Sequence, residues 1–197
     1  MTYRPDRPFT LFFVRHGVTE PNFRGLRCGG DLDVPLLDIG LDQAYLLAKQ
    51  VRAMDLAIGA IACGSLVRTR QTALIISGVL GGLGVEVEPL LNERHLGSWN
   101  NRPIAETEEA LKRKETPPGG ESEAQFTERV AGALERLAPL LERRPLLVSS
   151  KGVGRILNDL LGGEGRLQVG NGEIVAFDMR RDASGRLAVA VSRPHQV

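Results

Sequence analysis

The feature that most constrains the fold of this chain is a set of three short apolar runs that each end in polar residues. The runs have the length and composition of buried strands, and they are residues 11–14, 57–63 and 146–148. Apolar residues at helical spacing lie between the runs, over about 38–54, 65–80 and 122–143. Strands that alternate with helices predict a mainly parallel sheet covered by helices on both faces. The expected fold class is therefore α/β, as a three-layer α/β/α sandwich.

Local signals refine this outline. Asp38 and Ser65 are the predicted N-caps of the first two helices, because both residue types commonly accept hydrogen bonds from helix N-termini. A polar insertion follows over about 89–121, and the last two apolar runs are predicted to form a hairpin. The length favours one domain over two. We expect residues 1–197 to form a single domain in which the insertion lies over the functional site.

Polar residues follow the carboxyl ends of the three predicted strands. Arg15 and His16 come directly after the first strand. Arg68 follows the second strand after a short turn, and Lys151 follows the third. Because ligands of parallel sheets bind at this edge, we expect the four side chains to lie close together. Guanidinium groups bind phosphate or carboxylate through paired hydrogen bonds, which predicts an anionic ligand.

Composition argues against several functional classes. The formal net charge of +1 gives no basic surplus for a nucleic-acid partner. No apolar run reaches the roughly 20 residues that a membrane-spanning helix needs, and residues 1–8 lack the apolar core of a signal peptide. Cys28 and Cys63 are isolated, without the spacing of a metal site, so we expect two reduced thiols. These observations predict a cytoplasmic protein with no nucleic-acid or membrane partner.

Five segments occur in an order that one known family shares. They are residues 15–22, 33–44, 65–72, 91–99 and 118–122. The first reads Arg-His-Gly-Val-Thr-Glu-Pro-Asn, and the second contains Asp-Val-Pro-Leu and, further on, Gln-Ala. Through these segments the chain resembles the histidine phosphatase superfamily, the phosphoglycerate-mutase-like proteins. The resemblance covers most of the chain and implies the same three-layer fold.

The resemblance also implies a chemistry, phosphoryl transfer in two steps without a metal or another cofactor. His16 would attack phosphorus and form a phosphohistidine, and it must be neutral to do so. Arg15 and Arg68 would hold the phosphate oxygens and lower the pKa of His16. Glu93 would protonate the leaving alkoxide and then activate water. Asn22, with Thr19, would support the phosphate pocket.

The central departure from the family pattern lies at residues 148–153. The family's second histidine lies in Val-Ser-His-Gly-Gly-Val, whereas residues 148–153 read Val-Ser-Ser-Lys-Gly-Val. Ser150 therefore replaces that histidine, and Lys151 replaces the first glycine. Losing one preorganised donor costs about 10²–10³-fold in kcat. Ser150 could still donate a neutral hydrogen bond and Lys151 could supply the lost charge, while His95 is an alternative replacement for the missing imidazole.

Three functions remain open at this stage. The leading one is a phosphomonoester phosphatase acting on a small phosphorylated metabolite through His16. A non-catalytic binder of phosphorylated ligands is the second, which Ser150 favours and the other retained site residues oppose. A phosphoglycerate-type phosphomutase ranks lower because the chain is short for that branch of the family. Exposed sheet edges would also be compatible with a homodimer.

Overall fold

Six strands hydrogen-bond into one mixed sheet at the centre of the computed structural model, which describes residues 7–194. They are β1 (Phe9–Arg15), β2 (Ala60–Cys63), β3 (Val85–Val87), β4 (Pro145–Ser149), β5 (Ile174–Arg181) and β6 (Leu187–Ser192). The strand order is β3-β2-β4-β1-β5-β6. The first four of these neighbours run parallel, and β5 and β6 add an antiparallel hairpin beside β1. The prediction of a mainly parallel sheet ending in a hairpin is confirmed.

Helices cover both faces of this sheet. They are α1 (Glu20–Phe23), α2 (Asp38–Ala53), α3 (Val67–Val79), α4 (Ile104–Lys112), α5 (Glu123–Arg136) and α6 (Lys151–Leu161). Three 3₁₀ segments complete the chain: Pro89–Leu91, Gly97–Trp99 and Ala138–Arg143. Within the described range, no helix has the length and apolar character needed to cross a membrane.

The side-chain alternation of β1 divides the core into two apolar layers. Leu11 and Phe13 point into a cluster that they share with α5 and α6. Phe12 and Val14 point to the other face, into a cluster that they share with α2 and α3. All four side chains are nearly or fully inaccessible to solvent. The structure is thus the predicted α/β/α sandwich, and β1, buried on both faces, provides a rigid support for the residues at its end.

Both predicted N-caps are wrong. Asp38 is the first residue of α2, after Leu37, and no side chain caps that helix. Helix α3 begins at Val67, whose N–H donates to the Asp33 carboxylate at 2.8 Å. Ser65 instead exchanges hydrogen bonds with Asn92, through its backbone N–H and its hydroxyl. The cap of α3 therefore comes from a distant loop, which a local signal could not indicate.

Two predicted segments consist of several elements each. The long helical stretch over 122–143 divides into α5 and a 3₁₀ segment, and Pro139 lies in the first turn of that segment. The polar insertion over 89–121 holds α4 and two 3₁₀ segments. Each correction changes the boundaries of elements and leaves the layer architecture intact.

Candidate active site

His16 lies at the carboxyl end of β1, where one hydrogen bond of its backbone and one of its ring hold it in place. Its N–H donates to the Ser149 carbonyl at 2.9 Å, which joins it to the neighbouring strand β4. The ring Nδ1 is 2.7 Å from the Gly17 carbonyl oxygen. Because a carbonyl can only accept, this hydrogen bond places the proton on Nδ1 and leaves the Nε2 lone pair free. The side chain thus presents one nucleophilic nitrogen in a fixed orientation.

The protonation state of His16 follows from its surroundings. Burial, then the charge of Arg68 and, less strongly, that of Arg15 lower the pKa of His16 well below the usual value of 6.5. The hydrogen bond to Gly17 opposes this shift only in part. The sequence identified the two arginines as the cause, whereas burial is the larger contribution. At neutral pH the imidazole is therefore uncharged, as nucleophilic attack requires.

Two guanidinium groups lie beside His16 without a carboxylate partner. Arg68, in α3, is fully buried and donates to the backbone oxygens of Leu32 and Gly29 at 2.8 and 3.0 Å. Arg15 donates to the Val169 carbonyl at 3.1 Å. Neither takes part in any ion pair among residues 7–194. A fully buried cation and a half-buried one that form no ion pair are costly unless an anion binds beside them.

Four buried side-chain atoms within residues 7–194 have no hydrogen-bond partner. They are Arg15 Nε, Thr19 Oγ1, Arg68 Nε and Ser150 Oγ. All four belong to residues that the sequence placed at the phosphate pocket. Buried polar groups are almost always satisfied, so a cluster of unsatisfied donors indicates a ligand that accepts hydrogen bonds.

Ser150 is the residue that the sequence analysis predicted to replace the family's second histidine. It follows β4 directly and is the N-cap residue of α6, with an extended backbone and no capping hydrogen bond from its side chain. The residue is only 2% exposed. Its hydroxyl is buried without a hydrogen-bond partner in the described part of the chain and remains available as a short, neutral donor. A helix N-terminus also favours an anion at this position.

The Glu93 carboxylate is anchored by two backbone N–H groups. Oε1 accepts from Arg94 at 2.8 Å and Oε2 accepts from Gly152, in the first turn of α6, at 2.9 Å. The contact is tight, since a Cβ built on Gly152 would lie 2.2 Å from Glu93 Oε1. Burial lowers the pKa of the Arg15 guanidinium, and Glu93 is the charge that most opposes this shift. The acid predicted from sequence is thus placed against the first turn of α6, and its charge acts on Arg15.

Arg129, in α5, fixes the backbone that leads to Glu93, and the sequence analysis did not identify it. Its guanidinium donates to the carbonyls of Leu90, Asn92 and Glu93 at 2.8, 2.9 and 3.1 Å. The same group binds both carboxylate oxygens of Glu121 at 2.7 Å. A signal was available in the sequence, because Arg129 is flanked on the apolar face of α5 by the core residues Phe126 and Val130.

Asn22 is connected to the backbone of His16 through a second residue, Asn171, that sequence reasoning missed. Asn171 Nδ2 donates to the His16 backbone oxygen at 2.9 Å and lies 3.3 Å from Asn22 Oδ1. Asn22 therefore supports the backbone of His16 through Asn171. The only signal in the sequence was the Gly-Asn-Gly turn of residues 170–172, which precedes β5.

Lys151 and His95 differ in where they lie relative to the pocket. Lys151 begins α6, and its pKa is lowered first by partial burial and next by the nearby charge of Arg15. His95 is exposed in the insertion, where its N–H donates to Glu121 and its ring lies against Gly30. No hydrogen bond within residues 7–194 joins the His95 ring to His16. Of the two predicted substitutes for the lost imidazole, Lys151 has electrostatic contact with a pocket residue.

The family model of the histidine phosphatase superfamily (branch 1) matches residues 11–186. The chain belongs to this superfamily. This superfamily member is 36% identical over 184 residues to "Probable phosphoglycerate mutase GpmB" of Yersinia pestis (strain Pestoides F), an alignment covering 85% of the chain and 84% of the relative.

Solved structures of the superfamily resemble it closely. The crystal structure of TTHB049 from Thermus thermophilus is 32% identical, with a TM-score of 0.69, covering 91% of this chain and 97% of that one. A mycobacterial glucosyl-3-phosphoglycerate phosphatase shares the fold at 23% identity, with a TM-score of 0.74, covering 93% and 97% of the two chains. The family, predicted from five short segments, is confirmed.

Proposed function

We propose that this member of the histidine phosphatase superfamily is a metal-independent phosphomonoester phosphatase that acts through a phosphohistidine on His16. The observation that carries the proposal is the cluster of four unsatisfied buried donors around a neutral, oriented imidazole. Their total hydrogen-bonding capacity matches a phosphoryl group, which offers several acceptor oxygens in one place. The two guanidinium groups supply the positive charge that a metal ion supplies in other phosphatases.

The first step transfers the phosphoryl group to the protein. The Nε2 lone pair of His16 attacks phosphorus, the bond from phosphorus to the ester oxygen breaks, and Glu93 in its acid form gives its proton to the departing alkoxide. Arg15 and Arg68 stabilise the phosphoryl oxygens during the transfer. The products are an alcohol and a phosphohistidine, with Glu93 left as a carboxylate.

The second step returns the protein to its starting state. The Glu93 carboxylate takes a proton from water as the water oxygen attacks phosphorus, and the bond between phosphorus and Nε2 breaks. Inorganic phosphate leaves and His16 is again neutral. Glu93 thus acts once as an acid and once as a base, and its two backbone hydrogen bonds keep the carboxylate in place for both steps.

Ser150 is expected to slow this reaction. A neutral hydroxyl replaces an imidazole that would carry charge to the phosphoryl oxygens, and one such donor is worth about 10²–10³-fold in kcat. A non-catalytic binder of phosphorylated ligands is the second candidate, because Ser150 removes a charged donor while the rest of the anion site is kept. The name of the Yersinia relative favours a phosphoglycerate-type phosphomutase as the third.

The decisive experiment is kcat/KM for an aryl phosphate across a pH series in wild type, His16→Ala and Ser150→His. We expect turnover in wild type, none in His16→Ala and faster turnover in Ser150→His. His95→Ala is the matched control, an exposed histidine whose loss is expected to change nothing. A drop in His95→Ala would instead mean that His95 replaces the missing imidazole.

The alternatives give different results in the same experiment. If wild type does not hydrolyse the aryl phosphate but Ser150→His does, the binding function is favoured. Calorimetry would then measure the affinity of wild type for inorganic phosphate. Exchange between phosphoglycerate isomers, faster than release of inorganic phosphate, would favour the mutase. Activity that survives in His16→Ala would contradict the phosphohistidine mechanism.

The substrate class follows the same proposal. A small phosphorylated metabolite would place its phosphate among the strand ends and its alcohol part under the 89–121 insertion. The insertion and the rest of the chain would form one domain. Phe23, 70% exposed on α1 directly after Asn22, is available at the same rim for an apolar contact with that alcohol part.

A further inference from the structure

A group of charged side chains lies beyond Ser150, on the side of the pocket formed by the insertion. Arg27 and Arg166 both approach Glu108 of α4, at 2.7 and 4.0 Å. The charges of Arg27, Glu108 and Arg166 all act on Lys151, the residue that follows Ser150. We call Arg27, Lys151 and Arg166, with Glu108 among them, the cationic cluster.

The cationic cluster has more positive than negative charge. Its three cations face one carboxylate, and Glu108 is already engaged by Arg27. Burial lowers the pKa of Lys151 most, and the nearby cations lower it further because they repel its ammonium group. Lys151 itself forms no ion pair or hydrogen bond through its side chain within the described part of the chain. Uncompensated like charges at close range favour the binding of an anion.

Part of the cluster is preorganised. The Arg27 side chain is only 15% exposed, and its Nε donates to Thr107 at 2.7 Å. A second guanidinium nitrogen binds Glu108 and the Ile104 carbonyl. Arg27 is thus tied to α4 at three points, so its positive charge is held in place before any anion binds to the cluster.

The cluster adjoins the phosphate pocket. Lys151 is one residue from Ser150 at the start of α6, and after burial Arg15 is the charge that most lowers the pKa of Lys151. Arg15 also carries one of the four unsatisfied donors of the pocket. The cationic cluster therefore lies beside the residues at which the proposed function places the phosphoryl group.

We propose that the cationic cluster binds a second anionic group, a carboxylate or a second phosphate, on the alcohol part of the substrate. Lys151 and Arg166 make the direct contacts, since Glu108 already occupies Arg27. The inference rests on the proposed function, because it needs a phosphate ester in the pocket. It narrows the substrate class from phosphate esters in general to esters with an anionic tail.

The test compares alkyl phosphates of graded chain length that end in methyl, carboxamide, carboxylate or phosphonate. At the best length, a carboxylate or phosphonate tail is expected to raise kcat/KM about tenfold over methyl, because a hydrogen bond to a charged group contributes this much. The carboxamide tail should not, and the advantage should shrink as salt is added. If the carboxylate-tailed ester reacts faster, the second anionic group of the substrate is a carboxylate; if the phosphonate-tailed ester reacts faster, it is a second phosphate.

Two arginine variants separate the cluster from general charge. Arg166→Gln removes a side chain that is 58% exposed, and we expect the advantage of the anionic tail to fall about two- to fivefold while the methyl-tailed ester reacts as in wild type. Arg52→Gln is the matched control, an exposed arginine in the last turn of α2 beside the segment that leads into β2. It removes the same charge far from the pocket and should change neither substrate.

Binding measurements separate a failure of this inference from a failure of the proposed function. Alkylphosphonates with the same tails cannot be hydrolysed, and calorimetry gives their Kd directly. If no ester is hydrolysed but the carboxylate-tailed phosphonate binds more tightly than the methyl-tailed one, the cluster is supported and catalysis is not. The inference is overturned if all tails give equal kcat/KM and equal Kd. It is also overturned if Arg166→Gln and Arg52→Gln reduce the kcat/KM advantage of the anionic tails equally.

Discussion

The ends of β1 and β4 are neighbours in the sheet, with Arg15 paired to Ser149, yet they present different chemistry. After β1 comes an imidazole that is 3% exposed and hydrogen-bonded to a carbonyl. After β4 comes the Ser150 hydroxyl, 2% exposed and without a partner. His16 and Ser150 thus occupy equivalent positions at the two strand ends, but they differ in the charge that they can offer to a phosphoryl group. The position of a residue at these strand ends is set by the backbone pairing of β1 with β4, whereas its chemistry depends on the side chain alone.

The largest effect on kcat is expected when the residue after β4, like the residue after β1, is a histidine. Ser150→His returns an imidazole to the β4 end and should raise kcat about 10²–10³-fold with an aryl phosphate. Ser150→Ala, which removes the hydroxyl without adding charge, should lower it by about tenfold or less. Steady-state kinetics of both variants checks this, with circular dichroism to confirm folding. If alanine and histidine give the same rate, the β4 end takes no part in the reaction.

A smaller loss is expected when the carboxylate at the β4 end is displaced. The Cβ of Gly152→Ala would collide with Glu93, so the acid must move and kcat/KM should fall about 10²-fold. The loss should be greater for alkyl than for dinitrophenyl phosphates, whose leaving groups need no proton. Gly78→Ala in α3 is the matched control, because its Cβ meets nothing within 4 Å.

The control has an expectation of its own. Gly78→Ala should leave kcat/KM unchanged and stabilise the protein by about 0.5–1 kcal/mol, as an alanine does in a helix interior. Thermal unfolding measures this directly. An equal loss of activity in Gly152→Ala and Gly78→Ala would mean that Glu93 is not the sensitive partner.

Arg129 acts on the same acid from a greater distance. Arg129→Gln frees the backbone before Glu93 and should lower kcat/KM for alkyl phosphates about tenfold, with less effect on dinitrophenyl phosphate. It also leaves Glu121 without its guanidinium, and because both side chains are 16% exposed, the free energy of unfolding should fall by less than the roughly 3–5 kcal/mol of a fully buried pair. Arg129→Lys should restore part of the stability but little of the geometry. Equal losses for both substrates would show a role in folding alone.

The fold was predictable because each layer depends on local patterns. Residues 11–14 read as a strand and form β1, and the helical spacing over 38–54 matches α2 within a residue or so at each end. The caps were not predictable, since the group that binds the first N–H of α3 is Asp33, which lies in a distant loop. Local propensity describes an element, whereas its exact start depends on tertiary contacts.

The candidate site divides in the same way. Its main side chains follow strand ends, so their convergence could be inferred from the alternation of strands and helices alone. For Arg129 and Asn171 the sequence holds only weak signals, an arginine on an apolar helix face and a Gly-Asn-Gly turn. Neither signal shows which backbone oxygens, far away in sequence, each side chain binds. The neutral form of His16 was predicted from nearby charge, but burial, which only the packed structure shows, is the larger cause.

The smallest effect concerns stability and distinguishes the two strand ends by pH. The pKa of His16 is lowered in the folded protein, so between pH 6.5 and that lower value the unfolded chain binds more protons than the folded one. Stability must therefore fall as pH drops through this range, by up to about 1.4 kcal/mol per pH unit. His16→Gln cannot titrate and should lose this part of the slope, whereas Ser150→Ala should keep it. Urea unfolding of the three proteins over this pH range measures the difference, and equal slopes in all three would mean that the imidazole titrates in the folded protein as it does in the unfolded chain.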